Sequence, residues 1–378
     1  MIFLATSLAL GFLVTFFGTP YAEKYLLASG IFSIDQQKED KPRLASSGGI
    51  AVLFGILVSI TSYLAFSAFF RINSINLAVT LAALTSAILI GLIGLLDDIH
   101  LDLEAVIEEH ISVNGEDFEI ELHREGNIGS LPHQKVVDRL TGNFTDEENS
   151  EEMLRRGIGQ IPKMLFVLPA ALPLIAVGAG SWTMHLPVIG AIEWGIIYPL
   201  LLLPVGLFFV SNVVNMLAGT NGLAAGMSFV ASSGLGIYGY ITGSIEAALI
   251  AFSLSSCLLA FLYFNSYPAS ILPGDSLTYL CGAVMFSAMV VGNMEQFGVF
   301  IFAPWIVEFF LKLRSGFQAH SWGLLQENGS LESQHDKIYS LTHVFMNRGF
   351  TEPQVTYALV ALETLICVTG LYLFTAVL

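Results

Sequence analysis

Five polar side chains stand at the ends of long apolar runs: Asp97, Asp98, Asn215, Asn221 and Asp275. Carboxylates and amides at membrane depth are costly and usually mark a functional cavity. Two adjacent carboxylates repel one another, which favours a cation or a basic partner beside them. Asn215 and Asp275 offer oxygen ligands, which Mg²⁺ prefers, and Mg²⁺ is usually held by one or two carboxylates together with substrate phosphates. The set therefore predicts metal-assisted chemistry on a phosphate.

Glycines and basic residues accompany these polar groups. Gly48, Gly49, Gly219 and Gly222 would let the backbone approach a flat base or a phosphate closely. The basic stretch 41–43 would neutralise part of an anionic substrate. Together these are the groups needed for phosphoryl transfer to a lipid acceptor. Simpler interpretations stay open, since an Asp-Asp pair is often a solvated helix end and Asn-Gly is often only a turn.

The amino-acid composition indicates that membrane-spanning segments hold these residues in place. Apolar residues make up 54% of the 378 and charged residues 12%, whereas a soluble domain has about 25% charged residues. We expect an all-α polytopic membrane protein forming a single transmembrane transferase domain over residues 1–378, with the active site built from cytoplasmic loops. Ten apolar runs are long enough to span a bilayer; they are residues 2–20, 48–70, 75–96, 162–180, 190–211, 223–242, 245–265, 276–293, 297–313 and 355–377.

The basic residues predict the orientation of the chain, because cytoplasmic flanks collect Lys and Arg. Of the fifteen, only Arg71 falls in a loop that follows an even-numbered span. The odd-numbered loops are therefore predicted to face the cytoplasm, with both termini outside. All five polar residues then lie on the cytoplasmic face. The first run has no cleavage site and is expected to be a retained helix.

Two of the odd-numbered loops are long. An acidic cytoplasmic insertion, residues 100–155, is expected to be partly β, because residues 111–122 alternate apolar and polar residues around Asn114-Gly115. It is interpreted as a solvated loop, with adaptation to salt or docking of a partner enzyme as alternatives. The insertion also accounts for much of the net charge of −16, and this negative charge disfavours binding to nucleic acid. The second long loop, 314–354, contains a turn signal at Asn328-Gly329.

Other polar residues have simpler explanations. Glu308 and Lys312 stand at i and i+4, which predicts a local ion pair. Glu363 is expected to pack against a neighbouring helix, and the three cysteines, all within apolar runs, are expected to pack in the core. His320 in the last odd-numbered loop is a candidate substrate contact.

The motifs resemble those of the polyprenyl-phosphate N-acetylhexosamine-1-phosphate transferase family. The resemblance rests on Asn212-Val-Val-Asn-Met-Leu-Ala-Gly-Thr-Asn-Gly-Leu-Ala-Ala-Gly226, on Leu96-Asp97-Asp98 and on Phe264-Asn-Ser-Tyr-Pro268 with Gly274-Asp275. It is strongest to the eukaryotic and archaeal branch that uses UDP-GlcNAc and dolichyl phosphate, because Ala218-Gly-Thr-Asn221-Gly replaces the bacterial Asp-Gly-Leu-Asp-Gly run. The family's ten spans, with both ends outside, agree with the topology predicted above.

The resemblance implies a role for each matching position. Asn215 and Asp275 match ligands of Mg²⁺, with Mn²⁺ as the alternative ion. Asp97 and Asp98 match the catalytic aspartates near the lipid phosphate, and Asn221 with Gly219 matches the uracil site. The implied substrate-binding set is Asp35, Lys38, Lys163, Gly219, Asn221, Arg314 and His320. Two departures are Leu44-Ala-Ser46 in place of Ile-Pro-Glu, and a last odd-numbered loop that aligns poorly.

The implied activity is transfer of GlcNAc-1-phosphate from the UDP-sugar donor to dolichyl (polyprenyl) phosphate, the first step of lipid-linked oligosaccharide assembly. The enzyme would lie in the cell membrane of an archaeon or the ER membrane of a eukaryote, with its site facing the cytoplasm. A homodimer stays open. The alternatives are a bacterial-type transferase that uses undecaprenyl phosphate and a secondary transporter. A transporter predicts polar groups near span centres, whereas here they cluster at one edge.

Overall fold

The computed structural model describes residues 2–71, 75–99, 167–186 and 190–376. The acidic insertion, the hairpin predicted at 111–122 and Lys163 lie outside the described residues. The described part is predominantly helical, with three small two-stranded antiparallel sheets. The prediction of an all-α polytopic architecture is confirmed for these residues.

The described elements are helices interspersed with three small hairpins. In chain order they are α1 (Ile2–Ala28), β1 (Phe32–Ile34), β2 (Arg43–Ala45), α2 (Gly49–Phe70), α3 (Leu77–Asp98), a 3₁₀ turn (Leu168–Ala171), α4 (Leu172–Ala176), β3 (Thr183–Leu186), β4 (Gly190–Glu193), a π-helical turn (Tyr198–Leu202), α5 (Leu203–Met216), α6 (Leu223–Ile241), α7 (Ile245–Asn265), α8 (Gly274–Val291), α9 (Glu295–Ile301), α10 (Ala303–Leu313), β5 (Gly323–Leu325), β6 (Leu331–Ser333), α11 (Leu341–Met346) and α12 (Glu352–Thr375).

Ten membrane spans are not confirmed by the described residues. Seven helices there are long and apolar enough to cross a membrane, and α9 with α10 makes an eighth if this pair, bent by 61°, counts as one span. α6 occupies the predicted sixth span, but its glycines and serines lower its hydropathy. The predicted fourth span lies largely outside the described residues.

The prediction for the fifth span is wrong at its beginning. Residues 190–193 form strand β4 of a hairpin with β3, and the helical segment runs from Tyr198 to Met216. Pro199 and Pro204 lie in the first turns of the two helical pieces, where a missing backbone N–H costs nothing. The span therefore begins later than predicted and continues to the polar residues around Asn215.

Helix α8 lies at the centre of the bundle. In the most apolar 18-residue stretch of α8, 83% of the residues are buried, whereas 22% are buried in the corresponding stretch of α12. It packs against α3 and α5, and a Cβ built on Gly282 would lie only 2.5 Å from the Cα of Ser211. A Cβ built on Gly206 of α5 would likewise lie too close to the Phe286 ring of α8. The two helices are thus antiparallel, and the end of α5 lies at the same level as the beginning of α8.

Contacts between distant loops define two faces of the bundle. On one face the Asn76 amide donates to Glu246 Oε1 (2.7 Å) and the Tyr198 hydroxyl donates to Glu295 Oε1 (2.9 Å). The other face, called the site face, gathers the ends of α1, α3, α5, α7 and α10 and the beginnings of α2, α6, α8 and α12. The odd-numbered loops within the described residues therefore share one side, as the basic residues predict.

Local predictions are also confirmed, at a loop turn and inside the bundle. Asn328 and Gly329 form the turn between β5 and β6, where Gly329 has φ +81° and the Asn328 side chain accepts from the Ser330 amide (2.9 Å). The three cysteines are free and buried. Glu363 is fully buried within α12, in agreement with the prediction that it packs against a neighbouring helix.

Candidate active site

The carboxylate of Asp98 joins three segments at the site face. Its Oδ1 accepts from the Asp275 amide (2.7 Å), and its Oδ2 accepts from the Ser276 amide (3.0 Å) and the Ser47 hydroxyl (2.7 Å). A carboxylate at the N-terminus of a helix is stabilised by the unpaired N–H groups and the helix dipole. Asp98 therefore fixes the beginning of α8, with Asp275 in its first turn, to the end of α3.

The turn before α8 can be this tight only because it contains glycine. Gly274 has φ +66°, and a Cβ on it would lie 2.4 Å from Asp98 Oδ2 and 2.7 Å from the Ser47 amide nitrogen. The neighbouring Asp97 is itself buried, with 6% of its surface exposed.

Asn215 lines a cavity of about 420 Å³ on the site face. The cavity lies between the end of α5 and the last odd-numbered loop, and its lining mixes amide, basic and aromatic side chains with backbone; the residues are Asn212, Asn215, Met216, Ala218, Gly219, Lys312, Phe317, Ala319, His320, Ser321 and Trp322. Three residues predicted from the motifs, Asn215, Gly219 and His320, therefore meet at one space. Its size and polarity suit a hydrated polar group.

The last odd-numbered loop is anchored beside this cavity by a buried ion pair. Lys312 Nζ lies 3.8 Å from Glu308 Oε1 and donates to the Ala319 carbonyl (2.5 Å). Glu308 is fully buried, and its Oε2 accepts from the Leu341 amide (2.7 Å). The predicted i, i+4 ion pair is confirmed, and it also holds both ends of the loop.

Two histidines of this loop are poor bases in their surroundings. Burial, with the nearby Lys312 and His335 charges, lowers the pKa of His320. Burial is also the main reason that the pKa of His343 falls to about 4. The His343 Nε2 contacts the His320 carbonyl oxygen (2.9 Å) and its Nδ1 accepts from the Tyr339 amide (3.3 Å). This pairing suits a neutral ring that donates through Nε2, and it fixes the backbone at His320.

Asn221 is held by the first odd-numbered loop. Its Nδ2 donates to Asp35 Oδ2 (3.2 Å), and its Oδ1 accepts from the Ala269 amide (3.0 Å). Lys38 lies 3.1 Å from Asp35 Oδ2 and also pairs with Glu352. The first loop further reaches the cavity, since Gln37 Nε2 donates to the Gly219 carbonyl (2.6 Å).

Among the described residues, the structure gathers most of the predicted ones and leaves Arg314 aside. Asp98 contacts Asp275, Asp35 contacts Asn221 and Lys38, and Gly219, Asn215 and His320 share the cavity. Arg314 lies apart from the cavity lining; its side chain is exposed, with Nη1 3.5 Å from the Ile338 carbonyl. Lys163 lies outside the described residues. Sequence reasoning missed Ser47, Gln37 and Glu352.

Amide and carboxylate oxygens of the kind that Asn215 and Asp275 carry are donors that a hydrated divalent cation accepts. Among the described residues, no group of three or more His, Cys, Asp or Glu side chains could hold a metal ion. Mg²⁺ does not need such a group, because it is commonly held by one or two carboxylates together with substrate phosphates and water. Asn215 and Asp275 therefore remain suitable candidates, provided that a phosphate completes the shell.

Comparison with known proteins agrees with the motifs. Residues 143–293 match the family model described as glycosyl transferase family 4. The chain is 29% identical over 369 residues to a protein of Saccharolobus solfataricus (97% of this chain, 95% of the relative). It is 28% identical over 370 residues to one of Sulfolobus acidocaldarius (96% and 93%). Both carry the provisional name UDP-N-acetylglucosamine–dolichyl-phosphate N-acetylglucosaminephosphotransferase.

Bacterial similarity is partial. A phospho-N-acetylmuramoyl-pentapeptide-transferase of Clostridium beijerinckii is 27% identical over 164 residues, which is 43% of this chain and 47% of the relative. The family match and the nearly full-length archaeal similarity confirm the predicted resemblance.

Gly274→Ala should disturb the joint between α3 and α8. The new Cβ would collide with the Asp98 carboxylate, so we expect a loss of roughly 1–3 kcal/mol in unfolding free energy and a lower thermal unfolding midpoint in detergent. Gly178→Ala is the matched control, because Gly178 also has positive φ (+60°) but nothing lies within 4 Å of its added Cβ. Equal midpoints for the two variants would contradict the close approach.

The buried His343 predicts a loss of stability in acid. Its pKa is depressed from 6.5 to about 4 in the folded protein, so its contribution is complete above pH 6.5 and is lost as the pH falls towards 4. His343→Asn keeps an acceptor for the Tyr339 amide but cannot titrate. We expect the unfolding midpoint of the wild type to fall more steeply between pH 7 and pH 5 than that of the variant. Parallel curves would show that His343 is not the group responsible.

Proposed function

We propose that this chain, a homologue of the family 4 glycosyl transferases, transfers GlcNAc-1-phosphate from UDP-GlcNAc to dolichyl (polyprenyl) phosphate at the cytoplasmic face of the cell membrane. The products are a GlcNAc-diphospho-lipid and UMP. The observation that carries the proposal is the gathering of Asp98, Asp275, Asn221 and the Asn215 cavity on one face of an apolar bundle. Nearly full-length similarity to the two archaeal relatives favours this donor and this acceptor.

The chemistry requires two anions to meet. An oxygen of the lipid phosphate attacks the β-phosphorus of the donor, the bond from that phosphorus to the bridging oxygen breaks, and UMP leaves with that oxygen and its electron pair. Because the attacking and leaving groups are both phosphates, placement and charge neutralisation are the main tasks of the site. A bound Mg²⁺, held by Asp275 and Asn215, would supply neutralisation of the diphosphate.

The two aspartates divide the remaining work. Asp98 is engaged by three donors of its own chain, so its task is to place α8. Asp97, buried beside it at the same helix end, would orient the acceptor phosphate or take its proton. His320 and Trp322 face the cavity beside Asn215, which makes them candidates for contacts to the sugar.

The alternatives predict different substrates or none. A bacterial-type transferase would use undecaprenyl phosphate, and the partial bacterial similarity is its support. A secondary transporter would place its polar groups near the midplane. Here the charged contacts between distant segments instead lie at helix ends.

Labelled UDP-GlcNAc with purified protein in vesicles separates these functions. We expect UMP release and a lipid-linked diphosphate sugar with dolichyl phosphate, dependent on Mg²⁺, and slower turnover with undecaprenyl phosphate. Faster turnover with undecaprenyl phosphate would favour the bacterial type. Sugar accumulation inside vesicles without UMP would favour a transporter, and the proposed reaction would then be wrong.

Asp275→Ala tests the metal assignment and keeps the backbone N–H of residue 275, from which Asp98 accepts. We expect turnover to fall at least about 100-fold in protein that still folds and inserts into the membrane. Asp336→Asn is the control, since Asp336 is an exposed carboxylate of the last odd-numbered loop. Wild-type turnover in Asp275→Ala would exclude Asp275 as a ligand.

A further inference from the structure

Three charged side chains from distant segments form a buried cluster on the site face. Lys38 lies 3.1 Å from Asp35 and also forms a close ion pair with Glu352, which is 314 residues further along the chain. The exposed side-chain fractions are 13% for Lys38, 4% for Asp35 and 3% for Glu352. Burying charges costs free energy unless they are paired and hydrogen-bonded, so this cluster requires a purpose beyond packing.

The two carboxylates of the cluster both hold Asn221. Glu352 Oε1 accepts from the Asn221 backbone amide (2.8 Å), and Asp35 Oδ2 accepts from its side-chain Nδ2 (3.2 Å). Thr356, one turn along α12, donates to the Asn221 carbonyl (3.0 Å). Backbone and side chain of this single asparagine are therefore both fixed, at the turn where Gly222 (φ +77°) leads into α6.

These contacts also determine which way the amide of Asn221 points. The Oδ1 accepts from the Ala269 amide while Nδ2 donates to Asp35. If the amide were flipped, its N–H groups would face the Ala269 N–H and its oxygen would face the Asp35 carboxylate. These two partners therefore select one orientation. An amide nitrogen carries two N–H donors, and within the described residues only one of them has an acceptor. The second can donate to a carbonyl oxygen of a ligand.

Lys38 is used to neutralise this cluster. Its Nζ contacts both carboxylates and lies 4.5 Å from the centre of the Tyr267 ring. A cation engaged in this way has little capacity left for a substrate phosphate. Its positive charge instead offsets the repulsion between the Asp35 and Glu352 carboxylates.

We infer that Glu352 is a positioning residue, which together with the Lys38 cation holds the Asn221 amide in the orientation that recognises the uracil base of the nucleotide donor. The inference rests on the proposed function, because it requires a uridine nucleotide as substrate. It assigns Asp35 and Lys38 an indirect part in donor binding. It also predicts that the cluster affects the donor and leaves the lipid acceptor unaffected.

Glu352→Gln tests the inference, because it keeps the shape of the side chain and removes its charge. Hydrogen bonds to charged groups contribute more than neutral ones, so we expect the KM for UDP-GlcNAc to rise about tenfold or more. The KM for dolichyl phosphate and kcat should change less than about threefold. Glu332→Gln is the matched control, since Glu332 is an exposed carboxylate on strand β6.

Charge compensation is tested by a double-mutant cycle. Lys38→Met leaves two buried carboxylates facing one another, so it should weaken UDP-GlcNAc binding more than Glu352→Gln. The double variant should bind the donor better than Lys38→Met alone, which is a non-additive result. If Glu352→Gln does not fold, Thr356→Val weakens the hold on the Asn221 carbonyl without changing charge and should raise the donor KM alone.

The outcomes separate the inference from the proposed function. Equal rises in the donor and acceptor KM, or a lower unfolding midpoint with unchanged donor binding, would reduce Glu352 to a structural residue and overturn the inference. Wild-type protein that binds UDP-GlcNAc, with Glu352→Gln binding it equally well, would overturn the inference alone. Wild-type protein that binds no uridine nucleotide would overturn the proposed function itself.

Discussion

The carboxylate of Asp98 is the contact on which the rest of the site depends. It joins the end of α3 to the first amides of α8 and to Ser47 at the beginning of α2. Three hydrogen bonds converge on this one side chain, and a buried donor left without its acceptor costs roughly 1–3 kcal/mol. Because α8 is the most buried of the spanning helices compared above, fixing its beginning also fixes the helices around it.

The site face contains two groupings of buried charged side chains that are paired internally. The Asp35–Lys38–Glu352 cluster fixes Asn221, and Glu308 with Lys312 fixes the loop beside the cavity. Such pairing keeps the framework rigid before any ligand arrives. The few polar side chains that face the cavity, such as Asn215 and His320, are then presented in fixed positions by neighbours that carry the charge.

Much of this arrangement could be predicted from the sequence, because the hydrophobic pattern of a membrane helix is strong and its polar ends are conspicuous. Asp97, Asp98 and Asp275 were recognisable at the ends of apolar runs, and the Asn328-Gly329 turn followed from local chemistry. Two other features were not predictable. Residues 190–193 are apolar enough to continue a helix, yet they pair with β3. Glu352 gave no local sign of its role, because its partners Lys38 and Asn221 lie far away in the sequence. Identical neighbours such as Asp97 and Asp98 also differ only through tertiary contacts.

The ion pair between Lys38 and Glu352 spans nearly the whole chain, and this has a consequence for biosynthesis. Chains emerge from the ribosome N-terminus first, so the loop after α1 is made long before the residue that completes its charge balance. Until α12 has entered the bilayer, Asp35 and Lys38 lack their third partner and Asn221 lacks its backbone acceptor. The contacts that hold Asn221 are therefore among the last on the site face to form, and a nascent chain that stalls before its final helix lacks them.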